Sequence, residues 1–373
     1  MQIIILTATK IYNPDNNSIV IGGTETYVYE LAKTCAKEGY ETVILQKGDR
    51  LFDTNSDGVK IKGINVPTNK QLFNIAYKEY GFKAVYIVSN DAMDIKVDLP
   101  NVIAIQHGIG FDYPCTKYKI QIFNYLYKLL KNIAHLYRFH NVKNIVCVDY
   151  NYFNWLRAIH QIPDDRTVRV IPNFSHSLIS KDELNSKLAT YSGVKSIIFA
   201  RRFVDYRGTR LFANVALRLI NKYPYLKITF AGEGPDNEYL KDVFKNISNV
   251  NITSFQYKDS IKVSYNYDIS VVPTIFSEGT SLSLCEAMAS GCYPVVTHVG
   301  GMTNIIVDKF NGSLSYISED DFYDTLEKVI LMDREDFISV VNNAYNTIYY
   351  SLSIDVWRKR WIDYINLVVK NIK

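Results

Sequence analysis

Short apolar runs alternate with longer amphipathic stretches along most of the chain. The first run, IIILTA, closes on a glycine-bearing turn, IGGTET. After it TYVYELAKTCAKEG carries apolar residues at helical spacing and stops at Gly39. ETVILQ, AVYIV, NVIAIQ, NIVCVD and VRVIP are short, apolar and rich in β-branched residues, which predicts parallel strands buried on both faces. SIIFA restarts the pattern, and LKITFAG, VNITSF, DISVVPT and YPVVT continue it with helices between them. Such alternation predicts parallel sheets with helices on both sides. Two successive sets predict two doubly wound, Rossmann-like α/β domains, with ligands at the carboxyl ends of the strands in a cleft between them.

The break between the sets falls after VIPNF (Val170–Phe174), where a Pro-Asn turn leads into the polar stretch SHSLISKDELNSK. This gives an amino-terminal domain over 1–174 and a carboxy-terminal domain over 175–353. DVWRKRWIDYINLVVKNIK then spaces Trp357, Trp361 and Ile365 four apart, an amphipathic helix over about 354–373 expected to pack back on the amino-terminal domain. A length of 373 residues with 47% hydrophobic content exceeds what a single core usually supports, in agreement with two domains.

The opening MQIIILTATK has too short an apolar run, and no basic flank, for a secretory leader, and it predicts a first strand. No run approaches the roughly 20 apolar residues of a membrane span. Cys35, Cys115, Cys147, Cys285 and Cys292 are scattered without zinc-site spacing, which fits buried thiols in a reducing, cytoplasmic setting. The histidines likewise show no metal spacing.

Net charge is +4, and the cationic surplus falls within residues 1–175. It concentrates where no acid occurs between Asp112 and Asp149, while Lys117, Lys119, Lys128, Lys131, Arg138 and Lys143 are interleaved with aromatic residues. As a helix this stretch would set Ile122, Leu126, Leu129 and Ile133 on one face. Over residues 113–148 two readings stay open: a basic amphipathic helix on an anionic membrane, or a surface helix packed on the sheet. The mild overall balance, with no accompanying motif, argues against nucleic acid.

Candidate chemistry centres on TIFSEGTSLSLCEAMASGCYPVV, which begins at Thr274. A strand precedes it and a helix follows, so Glu278–Ser281 form the loop at a strand's carboxyl end. The first amides of the helix, near Ser281 and Leu282, lack intrahelical partners and can receive a phosphate. Glu286, one turn in, tilts back toward that point and can accept paired ribose hydroxyls. The competing reading is a helix capped by Ser281 or Ser283 with Glu286 solvated. His107 ends the strand NVIAIQ and should project from its carboxyl edge, where an imidazole serves either packing or a sugar hydroxyl. There is no Asp-x-Asp pair, no GxGxxG, no P-loop and no GxSxG.

The stretch resembles the E-x7-E signature of family 4 glycosyltransferases of the GT-B fold, with Glu278 and Glu286 as its glutamates. IGGTET (Ile21–Thr26), IQHGIG, IPNF, FARRFVDYRG, FAGEGP and GGMTNIIVDKFNG fall in that family's order. The resemblance implies a retaining transferase that takes a UDP- or GDP-linked sugar to a saccharide or lipid-linked saccharide acceptor, without metal or other cofactor. The setting implied is cell-surface polysaccharide or glycan biosynthesis in the cytoplasm or on the cytosolic membrane face.

By residue, the resemblance implies His107 and Glu278 as catalytic, and Gly22, Gly23, Arg202, Arg207, Ser281 and Leu282 around the donor diphosphate. Glu286 would take the ribose, and Gly279 and Thr280 would line the sugar. The chain departs from the family where Arg207 replaces a lysine and Arg201 a glycine, and Arg201 reads as a surface charge. Asp149 and Asn304 are milder departures. The same fold also serves nucleotide-sugar epimerases and would serve a non-catalytic, donor-binding partner protein.

Overall fold

The computed structural model describes residues 1–20, 22–89, 95–109 and 118–372. The chain forms two units, Met1–Pro172 with Trp357–Lys373, and Asn173–Val356. The first crossing thus falls two residues before the end of VIPNF.

In chain order the first unit contains β1 (Gln2–Thr7), a small hairpin of β2 (Tyr12–Asn13) and β3 (Ser18–Ile19), α1 (Gly23–Lys37), β4 (Glu41–Gly48), β5 (Phe52–Ser56), β6 (Val59–Asn65) and α2 (Asn69–Tyr80). It continues with β7 (Val85–Val88), β8 (Val102–Gln106), α3 (Gln121–Phe139), β9 (Asn144–Cys147), α4 (Tyr150–Ile159) and β10 (Thr167–Val170). Its eight-stranded sheet has the order β10-β9-β8-β7-β1-β4-β6-β5. Every pairing is parallel except β5 with β6. That hairpin was not expected from the sequence, although its turn is the Asp57-Gly58 pair, with φ of 51° and 78° as a two-residue hairpin turn demands.

The second unit contains α5 (Lys181–Thr190), β11 (Ser196–Ala200), α6 (Thr209–Lys222), β12 (Lys227–Ala231), α7 (Asn237–Val243), β13 (Val250–Thr253), α8 (Ser260–Tyr265) and β14 (Ile269–Val272). There follow α9 (Leu282–Ala289), β15 (Tyr293–Thr297), β16 (Ser313–Ser315), α10 (Glu319–Ile330), α11 (Arg334–Thr347) and the start of α12 (Ile354–Lys370). All six strands are parallel in the order β13-β12-β11-β14-β15-β16. The order reverses between β11 and β14, so the chain leaves these neighbours toward opposite faces and opens a crevice at their carboxyl ends.

The apolar runs fill the cores as their composition requires. Ile197, Phe199, Ile228, Phe230, Val271 and Val295 are fully or almost fully buried in the second unit, and Ile4, Leu6, Leu45, Tyr86 and Val102 in the first. Each such side chain contributes on the order of 1.5–3 kcal/mol. Helix ends are fixed locally: Ser180 and Glu183 form a reciprocal capping box on α5, and Asp149 caps α4 by accepting from the Asn151 amide at 2.7 Å. From Trp357 on, α12 belongs to the first unit, with Trp357, Trp361 and Ile365 buried.

Helix α3 departs from this logic. Its apolar stripe is exposed, with Ile122 at 56%, Leu126 at 45%, Leu129 at 47% and Ile133 at 41% of full accessibility. Residues 113–117 of the basic segment lie outside the described residues, as does Ile21 of the first glycine-rich turn.

Candidate functional site

The switch point of the second sheet is built from its two central strands. Arg201 directly follows β11, and Thr274 stands two residues beyond β14. The Arg201 guanidinium donates to Glu278 Oε2 at 2.8 Å and to Thr274 Oγ1 at 2.5 Å. Thr274 Oγ1 donates to the same carboxylate oxygen at 3.1 Å, and Arg207 completes the set with a short ion pair to it. The Arg201 and Glu278 side chains are 5% and 10% accessible, that of Arg207 29%. Burial alone would raise the Glu278 carboxyl, but Arg201 and Arg207 hold it below its ordinary value. Burial opposes the charged form of Arg207 as well, and there the carboxylate prevails and raises it.

This corrects the reading of Arg201 as a surface charge. Successive side chains at the end of an extended strand face opposite ways, so of Arg201 and Arg202 one turns inward and the other out. Arg201 is the buried one, and its charge is tolerated because Glu278 meets it. Arg202 is exposed and makes no ion pair among the described residues. The structure therefore brings Arg207 and Glu278 together and leaves Arg202 outside their cluster.

The loop carrying Glu278 is fixed from several sides. Gly208, at φ 82°, ends the short turn that presents Arg207, and a side chain there would collide with the Pro273 carbonyl. Gly300, at φ 51°, lies against the Glu278 carbonyl in the same way, and the Gly301 amide donates to that carbonyl at 2.9 Å. Asn173, the asparagine of IPNF, donates from Nδ2 to the Thr280 carbonyl at 2.6 Å. Gly279 and Thr280 are thus held between Asn173 and the 300–301 turn, a function for the Pro-Asn motif that its sequence position did not reveal.

Ser281 is the N-cap of α9, yet its side chain caps nothing and bonds instead to Ser283 Oγ at 3.0 Å. The first amides of α9, from Leu282 on, are therefore not served by a capping side chain. Glu286 is buried at 7% accessibility, which excludes the solvated reading.

In the first unit His107 directly follows β8. Its ring is hydrogen-bonded to the Ser89 backbone just past β7, and burial pushes its pKa down to about 4, so the imidazole is neutral at pH 7. Its Nε2 is buried with no hydrogen-bond partner among the described residues. The Tyr27 ring meets it edge-on at 5.3 Å. Tyr27 is in turn held by Trp361, whose Nε1 donates to its hydroxyl at 2.8 Å, and by the edge of Trp357 at 5.1 Å. The sequence reading missed this support, and its one signal was the spacing of the tryptophans. Gly22 is the N-cap of α1 and Gly23 its first residue, at the amino end of the helix after β1 and its hairpin.

Residues 194–331, most of the second unit, match the family model of glycosyl transferases group 1. The chain is similar to an uncharacterized glycosyltransferase of Methanocaldococcus jannaschii, with 25% identity over 225 residues, 57% of each chain. It is also similar to a phosphatidylinositol N-acetylglucosaminyltransferase subunit of Homo sapiens, with 21% identity over 349 residues, 88% of this chain and 69% of that one. The chain thus spans between 57% and 69% of the length of these relatives. Among solved structures, sucrose-phosphate synthase from Thermosynechococcus elongatus superposes with a TM-score of 0.74 at 14% identity, covering 100% of both chains. The fold is the GT-B fold expected from the resemblance.

Proposed function

We propose that the protein is a retaining glycosyltransferase that moves a sugar from a UDP- or GDP-linked donor to a saccharide or lipid-linked saccharide, in the assembly of a cell-surface polysaccharide or glycan. The observation that carries this reading is the buried Arg201–Glu278–Arg207 cluster at the β11/β14 switch point. It stands one loop before a helix whose first amides have no capping side chain.

In this reading the two arginines divide the work. Arg201, nearly inaccessible, stays on Glu278 and keeps it ionised. Arg207 is partly exposed and swings to the donor diphosphate, which it can grip through two parallel N–H groups. Arg202 and the amides of Ser281 and Leu282 complete the anion site, and Gly22 and Gly23, at the amino end of α1, offer further backbone amides to the phosphates. Glu286 accepts the ribose hydroxyls. Glu278, with Gly279 and Thr280, faces the transferred sugar, and the neutral His107 accepts a sugar hydroxyl at Nε2.

The chemistry follows from where charge develops. As the glycosidic bond breaks, negative charge grows on the leaving diphosphate, and fixed cations and amides stabilise it there, so the acceptor can enter on the same face without a carboxylate nucleophile. In this reading the arginines and helix amides, rather than a metal ion, carry the diphosphate charge, and the nucleotide-sugar is a substrate rather than a cofactor.

Thermal melting with UDP, GDP and a panel of nucleotide-sugars tests the reading. At 100 times its dissociation constant a ligand adds about 2.7 kcal/mol, a readily measured rise in Tm. Glu286→Ala should lose that rise while keeping the fold. If no nucleoside diphosphate or nucleotide-sugar moves the Tm, the proposal fails.

A further inference from the structure

We infer that α3 is a membrane-docking helix that lays its apolar face into the surface of an anionic bilayer. The inference is independent of what the protein transfers.

Helix α3 is inside out. Ile122, Leu126, Leu129 and Ile133 face solvent, joined by exposed Phe123, Tyr125, Leu130 and Tyr137. The half-buried side is mixed rather than apolar: Leu136 packs on the core of the first unit, while Asn132 accepts from Trp155 Nε1 at 2.9 Å and donates to the Lys128 carbonyl at 2.8 Å. Only near its carboxyl end does a large apolar residue, Phe139, turn fully inward. An amphipathic helix normally gains its stability by burying the stripe that α3 exposes. A contiguous apolar face of this kind marks a surface that something apolar covers.

Charge identifies the occupant. No acid occurs between Asp112 and Asp149, and Lys119 and Lys131 are exposed beside the stripe, with Lys128 half-buried. The Lys131 ammonium sits 5.2 Å from the Tyr127 ring centroid, a cation above an aromatic base. A bilayer surface supplies what each group requires: acyl chains for the aliphatic stripe, the headgroup zone for the tyrosines, and anionic heads for the lysines. The helix lies in the surface plane rather than across it, since no helix among the described residues is long and apolar enough to span.

The test is flotation of the full-length protein with vesicles of phosphatidylcholine alone, or with about one phosphatidylglycerol in three lipids. The wild type should float with the anionic vesicles at low salt and detach as salt rises. Leu126→Glu with Leu129→Glu should lower partitioning more than tenfold, and Lys119→Ala and Lys131→Ala about fivefold each. All four positions are exposed, so an unchanged melting curve separates lost docking from lost folding. A wild type that ignores anionic vesicles at low salt overturns the proposal, as does binding unaffected by the glutamate pair. So does a solution dimer that this pair dissociates while vesicles capture nothing, because the face would then belong to a second copy of the chain.

Discussion

Glu278 and His107 both stand just beyond the carboxyl ends of interior parallel strands, one in each unit, and both are titratable groups removed from water. They resolve burial in opposite ways. Two guanidinium groups keep Glu278 charged, whereas burial keeps His107 neutral, with no charged partner among the described residues. The charged site must have its partners in place before any ligand arrives, which is why its loop is fixed by Asn173, Gly300 and Gly301. The neutral site needs none and keeps a buried Nε2 lone pair for a donor hydroxyl.

The sharpest way to break this comparison is to remove the carboxylate. Glu278→Ala leaves Arg201 as a buried cation without its counter-ion, and breaking a buried pair from one side typically costs about 3–5 kcal/mol. Chemical denaturation should show a loss of that size, and nucleotide-sugar turnover should vanish. Glu278→Gln keeps an acceptor for Arg201 but not the charge, and should lose less stability while remaining inactive. A loss below about 1 kcal/mol for Glu278→Ala, the level of an exposed pair, would mean that the cluster is solvated.

Removing the histidine acts next, through pH. The folded-state pKa of His107 is about 4 against an ordinary 6.5, so between these values the unfolded chain binds more protons and stability rises with pH. The contribution of neutral His107, about 3 kcal/mol, is complete above pH 6.5 and is lost as pH falls to 4. His107→Gln should flatten the stability profile across that window. Glu278 is depressed from a lower starting value, so its loss begins only below about 4.5, and the two sites are distinguishable by acidification. An unchanged slope in His107→Gln would show that the imidazole titrates normally.

Much of this was legible in the sequence. Runs such as SIIFA and DISVVPT could only be strands buried on both faces, and their alternation with helical stretches set the fold. What stayed hidden was direction. Adjacent Arg201 and Arg202 carry the same charge, and only the pleat at the end of β11 decides which one meets Glu278. Likewise, the periodicity of α3 and of α12 is equally helical, yet α12 turns its stripe toward Tyr27 and α3 turns its own to solvent. The hairpin at Asp57-Gly58 carried a readable turn signal and was missed, whereas Trp361 and Tyr27 stand 334 residues apart, beyond any local pattern.

That long-range contact permits the mildest test of the neutral site. Trp361→Phe keeps the aromatic body but removes the N–H that binds the Tyr27 hydroxyl. The Trp357 ring still packs at a right angle against Tyr27, so what is lost is one buried hydrogen bond, and the cost should be about 1 kcal/mol. A looser Tyr27 ring admits water to His107, and water restores the charged form, so the His107 midpoint should move upward from about 4. Titration of the imidazole by NMR reads this shift separately from stability. If the midpoint stays in place while the stability loss appears, the neutrality of His107 is set by the sheet edge and the Ser89 backbone alone, and the tryptophans of α12 hold the unit together without tuning its histidine.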